Sequence, residues 1–212
     1  MAIISGTGAA DSLYSAAAGD ILFGYAGADF LSLNHAGTVG HGGAGADSIW
    51  STAGYVTAYG GPGDDSLVSF GIGAILHGGD GADSFVSNGP DAILRGDAGA
   101  DHLLLGSNVG YTRMTGGDGA DTFAFRYAYA GDGADVAHIL DFDAAEGDRI
   151  EIDSIRDADG FEVGPDSFGD LTWTDYSDGS QIWTKADLGG GLEIRLDGYH
   201  AADLSASWFD FV

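Results

Sequence analysis

The 212-residue sequence contains no cysteine and only seven lysines and arginines. Without cysteine the chain can form no disulfide, no thiolate metal site and no cysteine nucleophile. So few basic residues leave no basic patch that could contact the phosphates of a nucleic acid. No apolar run is long enough to cross a bilayer, and the start, MAIISGTGAADSL, lacks the basic region and apolar core of a Sec signal peptide.

Known catalytic motifs are absent as well. The sequence contains no HExxH, no GxSxG, no Walker loop and no dinucleotide-binding fingerprint. Its many aspartates could be interpreted as the carboxylate pairs of a glycosidase, but their regular spacing favours metal ligands. We therefore expect no catalytic residue and no enzymatic activity in this chain.

Acidic residues are abundant, since 33 aspartates and glutamates give a net charge of −26. Such acidity is typical of disordered chains, yet 44% of the residues are hydrophobic, which is enough to build a core. A folded chain with this charge needs cations to offset the repulsion among its carboxylates. The composition therefore favours a folded, metal-binding protein.

A glycine-rich nonamer is repeated along the first two thirds of the chain, as in GGAGADSIW and GGPGDDSLV. Each copy carries an aspartate with an apolar residue two positions later. Six of these aspartates are spaced 18 residues apart, and the seventh follows after 20. A degraded eighth copy, AGDGADVAH, contains Asp135. The seven aspartates, called here the aspartate column, are Asp11, Asp29, Asp47, Asp65, Asp83, Asp101 and Asp121.

This spacing predicts a solenoid in which each 18-residue coil has two short strands and two turns. Stacked coils are about 4.8 Å apart, so the aspartates would repel one another. Glycines permit positive φ and bring backbone carbonyls to one point, and carbonyl and carboxylate oxygens suit calcium. Filling the six gaps between seven coils with Ca²⁺ would change the net charge from −26 to about −14. The alternative is a glycine-rich solenoid whose aspartates only cap turns, but turn capping does not require all three glycines.

The opposite side of each coil lacks a repeated aspartate, apart from Asp20 and the shifted Asp91. We therefore expect one main calcium column rather than two. In the strands that lead into each nonamer, the middle residue is expected to face inward and the next residue outward. The expected outward residues are Phe23, His41, Tyr59, His77, Arg95 and Thr115.

The nonamers resemble the repeats-in-toxin (RTX) motif GGxGxDxUx, in which U is apolar. The resemblance extends over about residues 6 to 138. It implies an all-β fold, a right-handed parallel β-roll, which we assign to residues 1–127. In that family calcium lies between coils, held by the aspartates and by backbone carbonyls of the glycine-rich segment. The resemblance therefore implies about six Ca²⁺ ions in one column, bound by Asp11, Gly24, Gly27, Asp29, Gly42, Gly43, Ala44, Gly45, Asp47, Gly60, Gly61, Pro62, Gly63, Asp65, Gly78, Gly79, Asp80, Gly81, Asp83, Gly96, Asp97, Ala98, Gly99, Asp101, Gly116, Gly117, Asp118, Gly119 and Asp121.

Three copies depart from this motif. The first has Thr7 and Ala9 at glycine positions, and the second and sixth have Tyr25 and Asp97 at the second glycine. These departures predict weaker sites at the ends of the column than in its middle.

Residues 128–212 form the second predicted domain, called here the cap. From Asp135 to Ile155, alternating residues flank a polar turn, which predicts paired strands, and the segment DLTWTDYSDGSQIWTKADLGGGLEIRLDGY predicts three more. The segment DFD…EGDRIEI and the final Asp210-Phe211-Val212 resemble the C-terminal domain of serralysin-type proteases and other RTX exoproteins. In that family the domain caps the roll and carries an uncleaved type I secretion signal. The resemblance implies export by the type I secretion machinery to the outside of the cell or its surface, although an ordinary β-cap would also fit these residues.

Two functions remain open at this point. The chain is either a complete exported protein with a structural, adhesive or extracellular-matrix role, or the calcium-binding C-terminal part of a secreted hydrolase or alginate epimerase. Met1 directly ahead of AIISG favours the first.

Only five residues precede Gly6, so we expect the edge of the first coil to be exposed and to pair with a second molecule in a dimer or filament. A monomer with residues 1–5 folded over the edge is the alternative.

Overall fold

The computed structural model describes residues 1–106, 110–126, 135–153, 167–188 and 192–212. Within these residues the regular structure is β-strand, together with three short 3-10 helices, Phe168–Asp170, Ala201–Asp203 and Ala206–Trp208. None of these helices could span a membrane. The strands of the roll are β1 (Ile3–Ser5), β2 (Ser12–Tyr14), β3 (Ile21–Ala26), β4 (Phe30–Ser32), β5 (Val39–Ala44), β6 (Ser48–Ser51), β7 (Thr57–Pro62), β8 (Ser66–Ser69), β9 (Ile75–Asp80), β10 (Ser84–Ser87), β11 (Ile93–Ala98), β12 (His102–Leu105), β13 (Tyr111–Asp118) and β14 (Thr122–Arg126). The strands of the cap are β15 (Asp135–Ile139), β16 (Arg149–Asp153), β17 (Trp173–Ser177), β18 (Ile182–Asp187), β19 (Leu192–Asp197) and β20 (Phe209–Phe211).

The strands of the roll alternate between two sheets. The first sheet has the order β1-β3-β5-β7-β9-β11-β13-β15-β19-β18-β17, and the second β2-β4-β6-β8-β10-β12-β14-β16-β20. Neighbouring strands of the roll are parallel, and Phe85 of β10 pairs with Leu103 of β12, one repeat later. The chain is therefore an all-β parallel roll of about seven coils, as the repeat predicts.

The hydrophobic core lies between the two sheets. The apolar residue that follows each motif aspartate is buried, and so is the middle residue of each facing strand, as in Leu67 and Leu76. Gly40 replaces the larger residue in one coil, and a Cβ there would lie 3.0 Å from the side chain of Leu33. Each fully buried leucine or phenylalanine stabilises the fold by about 1.5–3 kcal/mol. Both sets of inward residues are placed as predicted.

The predicted outward residues form a column on the first sheet. The rings of Phe23, His41, Tyr59 and His77 stack in sequence, with centroids 4.8–4.9 Å apart. This distance matches the spacing of adjacent strands, so the stacking follows from the repeat. The outward orientation is confirmed.

The cap extends both sheets rather than forming a separate hairpin. The predicted pairing of the two strands between Asp135 and Ile155 is wrong, because β15 joins β13 and β19 whereas β16 joins β14 and β20. Each strand covers the edge that coil seven leaves on its own sheet. The three later strands are present as predicted, and β17, β18 and β19 pair in antiparallel order. Residues 127–134, with most of the eighth nonamer and the predicted domain boundary, lie outside the described residues.

Candidate metal centre

The aspartate column lies at the turn that leads from the first sheet to the second. At this turn the backbone of the fourth coil has positive φ at Gly61 (115°) and Gly63 (138°). A Cβ on either residue would collide with a carbonyl oxygen of the coil before, that of Gly43 or Gly45. Glycine is therefore needed for the conformation and also for the close stacking of the coils.

The motif aspartates are linked from coil to coil by hydrogen bonds. The backbone N–H of Asp65 donates to Oδ1 of Asp83, and the corresponding bonds along the column are 2.7–2.9 Å long. Their second oxygens differ. Among the described residues, the Oδ2 atoms of six of these aspartates are buried without a hydrogen-bond partner, namely those of Asp29, Asp47, Asp65, Asp83, Asp101 and Asp121. A buried charged oxygen with no partner is strongly unfavourable, so this column fits a set of bound cations.

Five of the free oxygens, those of Asp29, Asp47, Asp65, Asp83 and Asp101, face a second oxygen across the gap between two coils. A Cβ built on Gly60 would collide with Oδ2 of Asp65 and would lie 2.7 Å from the carbonyl oxygen of Gly78. The same arrangement is repeated at Gly24, Gly42, Gly78 and Gly96. Carboxylate and carbonyl oxygens are the hard donors that Ca²⁺ prefers. In the part of the chain that the structure describes, no three His, Cys, Asp or Glu side chains surround one point, so backbone carbonyls must supply further ligands.

In the third to seventh motifs the third residue, also a predicted ligand, contributes its backbone carbonyl to the stacking. Gly45 N donates to the carbonyl of Pro62, and Gly63 N to that of Asp80, at 2.8 and 2.7 Å. A carbonyl oxygen has two lone pairs, so each can still bind a cation. The other third-position carbonyls with this bond are those of Ala44, Ala98 and Asp118. The side chains of Asp80 and Asp118 are exposed.

Burial raises the pKa of the inner aspartates. Desolvation is the largest cause, and neighbouring carboxylates raise the pKa further, while the N–H from the preceding motif aspartate lowers it. The pKa is about 7 for Asp65 and Asp121 and about 6 for Asp83 and Asp101. Near neutral pH these carboxylates can therefore exchange a proton for a metal ion.

This gives a prediction for the pH dependence of stability. In calcium-free buffer the roll should show more β-structure at pH 5 than at pH 8. The folded pKa values of about 6 and 7 lie above the ordinary value of 3.8, so the folded chain binds more protons than the unfolded chain between these values. Stability is then largest at low pH and is lost as the pH rises through 6 to 7.

Circular dichroism spectra in calcium-free buffer at the two pH values check this prediction. With saturating Ca²⁺ the roll is folded and its melting temperature should be higher at pH 8 than at pH 5, because protons compete with the ion for the same oxygens. Equal amounts of β-structure at pH 5 and pH 8 in calcium-free buffer would contradict the prediction.

A second prediction concerns the space beside the free oxygen. Gly60→Ala should abolish about one cation site and destabilise the roll by about 1–3 kcal/mol, the usual cost of overpacking. The φ of Gly60 lies outside the left-handed region, so the added methyl acts by filling the space between Asp65 and Gly78. Gly8→Ala is the matched control, because a Cβ on Gly8 has no atom within 4 Å. Calorimetric titration with Ca²⁺ checks the number of sites, and a wild-type count in Gly60→Ala would refute the prediction.

The first coil differs from the inner ones. Oδ2 of Asp11 accepts hydrogen bonds from the backbone N–H of Thr7 at 2.6 Å and from its hydroxyl at 2.8 Å. The oxygen that is free in the other copies is thus already engaged, and the hydroxyl bond exists because threonine replaces the second glycine. Tyr25 and Asp97 adopt positive φ of 80° and 77° without being glycine, which costs free energy. The bonds of Thr7 to Asp11 and the strained backbone at Tyr25 and Asp97 are physical reasons to expect weaker sites at the ends of the column.

The two aspartates on the opposite side of the roll accept hydrogen bonds from backbone N–H groups. Oδ1 of Asp20 accepts the N–H of Ala2, and its Oδ2 accepts those of Ala16 and Ala17. These N–H groups, Ala2 first, lower the pKa of Asp20. Oδ1 of Asp91 accepts the N–H of Tyr111. Within the described residues, the orphaned carboxylate oxygens therefore belong to a single column.

Sequence reasoning missed Asp148, which continues the aspartate column. Its Oδ1 accepts the N–H of Asp121 at 2.9 Å, the same bond that links the aspartates of earlier coils. Asp148 follows Asp121 by 27 residues rather than 18, so the repeat gave no sign of it. The available signal was the short pattern EGD ahead of the alternating strand RIEID, which resembles the end of a nonamer.

The chain is similar to one protein family and to several solved structures. The model of the RTX calcium-binding nonapeptide repeat family (4 copies) matches residues 3–33 and 41–69. The AlgE6R3 subunit of the Azotobacter vinelandii mannuronan C5-epimerase is 31% identical over 69% of this chain and 79% of that chain, with a TM-score of 0.46. The AlgE6R2 subunit is 29% identical over 72% of this chain and 91% of that chain, with a TM-score of 0.37.

A third solved structure is longer than this chain. The extracellular lipase LipA from Serratia marcescens is 16% identical over 99% of this chain, which spans 38% of the lipase, with a TM-score of 0.32. A search of curated proteins gives no match.

Proposed function

Because the chain belongs to the RTX family of calcium-binding nonapeptide-repeat proteins, we propose that it is a secreted, non-catalytic module that folds when Ca²⁺ fills its aspartate column. One observation carries this proposal: six buried Oδ2 atoms of the column have no partner among the described residues. Their burial is costly unless a cation compensates it. Calcium supplies that compensation outside the cell, where it is abundant. In the calcium-poor cytoplasm the chain would stay unfolded.

Export is the second part of the proposal. An unfolded, strongly acidic chain suits passage through the type I secretion machinery, and the C-terminal segment is the proposed signal. After export the folded roll would serve a structural, adhesive or matrix role. The proposed pairing of first coils between molecules stays a prediction, and light scattering with and without Ca²⁺ tests it.

The same column also fits a second role, as the calcium-binding part of a larger secreted enzyme such as a hydrolase or alginate epimerase. The absence of any recognised catalytic motif favours this alternative as much as the first. The sequence of the encoding gene distinguishes the two roles. A catalytic domain encoded upstream would support the role as part of a larger enzyme, and a gene without one would support the role as an independent protein.

Deletion of Ser205–Val212 tests export. In a cell that expresses the type I machinery, the truncated chain should remain inside the cell, because the proposed signal is removed. Immunoblots of the culture medium and of the cells measure this. Secretion at wild-type levels would refute the proposed signal.

The deletion also removes β20, which pairs with β16, and the ion pair between Arg149 and Asp210. The purified truncated chain must therefore be shown to gain β-structure with Ca²⁺. Arg149→Gln is a further control, because it breaks the same ion pair and leaves the C-terminus intact. Its normal export would separate loss of the signal from loss of this contact.

A further inference from the structure

The fourth motif differs from the other six at its fifth position. The other motifs have alanine there, whereas GGPGDD has Asp64, directly ahead of the column residue Asp65. Asp64 is exposed, so its charge is held at this turn without the cost of burial. The fourth coil therefore carries two consecutive carboxylates where the other coils carry one after an alanine.

The Asp64 side chain reaches the next coil. Its Oδ1 accepts the backbone N–H of Ala82 at 2.9 Å, and Ala82 directly precedes Asp83. A Cβ built on Gly81 would lie 3.1 Å from the same oxygen. Alanine at this position in the other motifs has no carboxylate that could make such a bond. Asp64 thus fixes the turn of the fifth coil against that of the fourth.

The gap between these two coils already contains the groups of a cation site. Asp65 is 2% exposed, and within the described residues its Oδ2 is buried without a hydrogen-bond partner. That oxygen and the carbonyl oxygen of Gly78 border the space where a Cβ on Gly60 would lie. Asp83 supplies the second carboxylate of the gap, and its Oδ1 accepts the N–H of Asp65 at 2.7 Å. Asp64 adds a third carboxylate close to this gap.

The same turn has a second peculiarity, because Pro62 is the only proline inside a nonamer. Proline fixes φ and reduces the number of conformations of the unfolded chain, so a turn that accommodates it costs less entropy to order. Its carbonyl still accepts the N–H of Gly45 at 2.8 Å, so the stacking of the coils is kept. The fourth turn is therefore easier to order around an ion than a turn without proline.

We propose that the gap between the fourth and fifth coils is the tightest Ca²⁺ site of the column and the first to fill, and that Asp64 is the positioning residue responsible. The proposal rests on the calcium-binding function above and gives the column an order of filling. Asp64 acts through its charge, since the number of carboxylates around a site tunes its affinity for calcium, and through its bond to Ala82. Because Asp64 is exposed, salt should screen its attraction for the ion.

Other additional aspartates within the motifs are placed differently. Asp80 and Asp118 are third residues, three positions ahead of the column aspartate rather than next to it. The carboxylate of Asp97 lies 3.6 Å from the ring of His77, and the positive φ of Asp97, 77°, costs free energy in its coil. These differences favour the gap beside Asp64 over the others.

Asp64→Asn in the full chain tests the role of the charge. In a titration against a fluorescent calcium chelator at low ionic strength, the first ion should bind about tenfold more weakly than in the wild type, the scale of one carboxylate near a divalent ion in water. The total number of ions should not change. The amide oxygen of asparagine can still accept the N–H of Ala82, so a lost hydrogen bond would not explain the difference, and concentrated KCl should reduce it.

Asp178→Asn is the matched control, because it removes the same charge from an exposed turn between β17 and β18, where asparagine can accept the same N–H bonds. It should bind the first ion as the wild type does. Wild-type affinity for the first ion in Asp64→Asn would overturn the proposal. A weakening that concentrated KCl leaves unchanged would overturn the role of the charge.

A transfer of the aspartate to the third coil tests the position of the site. Ala46 is the exposed residue equivalent to Asp64, so Ala46→Asp combined with Asp64→Ala should restore tight binding one gap earlier. In crystals grown with limiting Ca²⁺, the strongest anomalous-scattering peak should lie between Asp65 and Asp83 in the wild type and between Asp47 and Asp65 in the double variant. Equal peaks in all gaps would overturn the order of filling and leave the proposed function intact, whereas a wild-type chain that binds no Ca²⁺ would overturn both.

Discussion

Removal of Ca²⁺ is expected to unfold most of the roll, the largest effect that we predict. Without the ion, the aspartate column carries buried carboxylate oxygens with no partner in the described structure, within a chain of net charge −26. The 38 glycines add to the entropy cost of folding, since ordering each residue costs about 1–2 kcal/mol and glycine more than the average. The buried leucines and phenylalanines oppose this cost, but they cannot relieve the charge repulsion.

Far-ultraviolet circular dichroism at pH 7.5 measures this effect. The protein in EGTA should show little β-structure and should regain it with millimolar Ca²⁺. Mg²⁺ at the same concentration is the control for ionic strength, because it demands a tighter octahedral site than carbonyl and carboxylate oxygens at fixed positions provide. An unchanged β spectrum in EGTA would show that the roll folds without the ion.

Asp65→Ala should give the second largest effect, and a larger one than Asp11→Ala. Oδ1 of Asp65 accepts the N–H of Asp47 at 2.7 Å, and its Oδ2 is free to bind an ion in the next gap. Its loss would damage the two gaps on either side and leave a buried N–H unpaired, at a cost of about 1–3 kcal/mol for the N–H alone. Asp11 has no coil before it within this chain, and Thr7 occupies its second oxygen.

Calcium titration and thermal melting compare the two variants. Asp65→Ala should lose one to two ions and melt several degrees lower, at about 2–4 °C for each kcal/mol in a chain of this size. Asp65→Asn separates the two contributions, because the amide oxygen can still accept the N–H of Asp47 whereas the amide nitrogen cannot bind a cation. Equal losses in Asp65→Ala and Asp11→Ala would argue against ions shared between neighbouring coils.

The repeat was enough to predict the roll and the position of its aspartate column. A constant period of 18 residues places equivalent residues one strand spacing apart, so the register, the inward leucines and the outward stack from Phe23 to His77 all follow from it. The chemistry of the column was also visible, because glycine, aspartate and an apolar residue recur together. These properties depend on local pattern and on translation along one axis.

Only the tertiary structure showed the contacts of individual atoms within the column and the arrangement at the two ends of the roll, where the regular repeat stops. It gave the two oxygens of the other six column aspartates different roles, one bonded to the preceding coil and one free, and it showed that Thr7 engages Asp11. It placed β15 and β16 in different sheets, and it brought Asp148 to Asp121 across 27 residues. Such contacts depend on how strands from distant parts of the chain cover the open edges of two sheets. Because the intervening loops have irregular lengths, no periodic pattern in the sequence records which residues meet there.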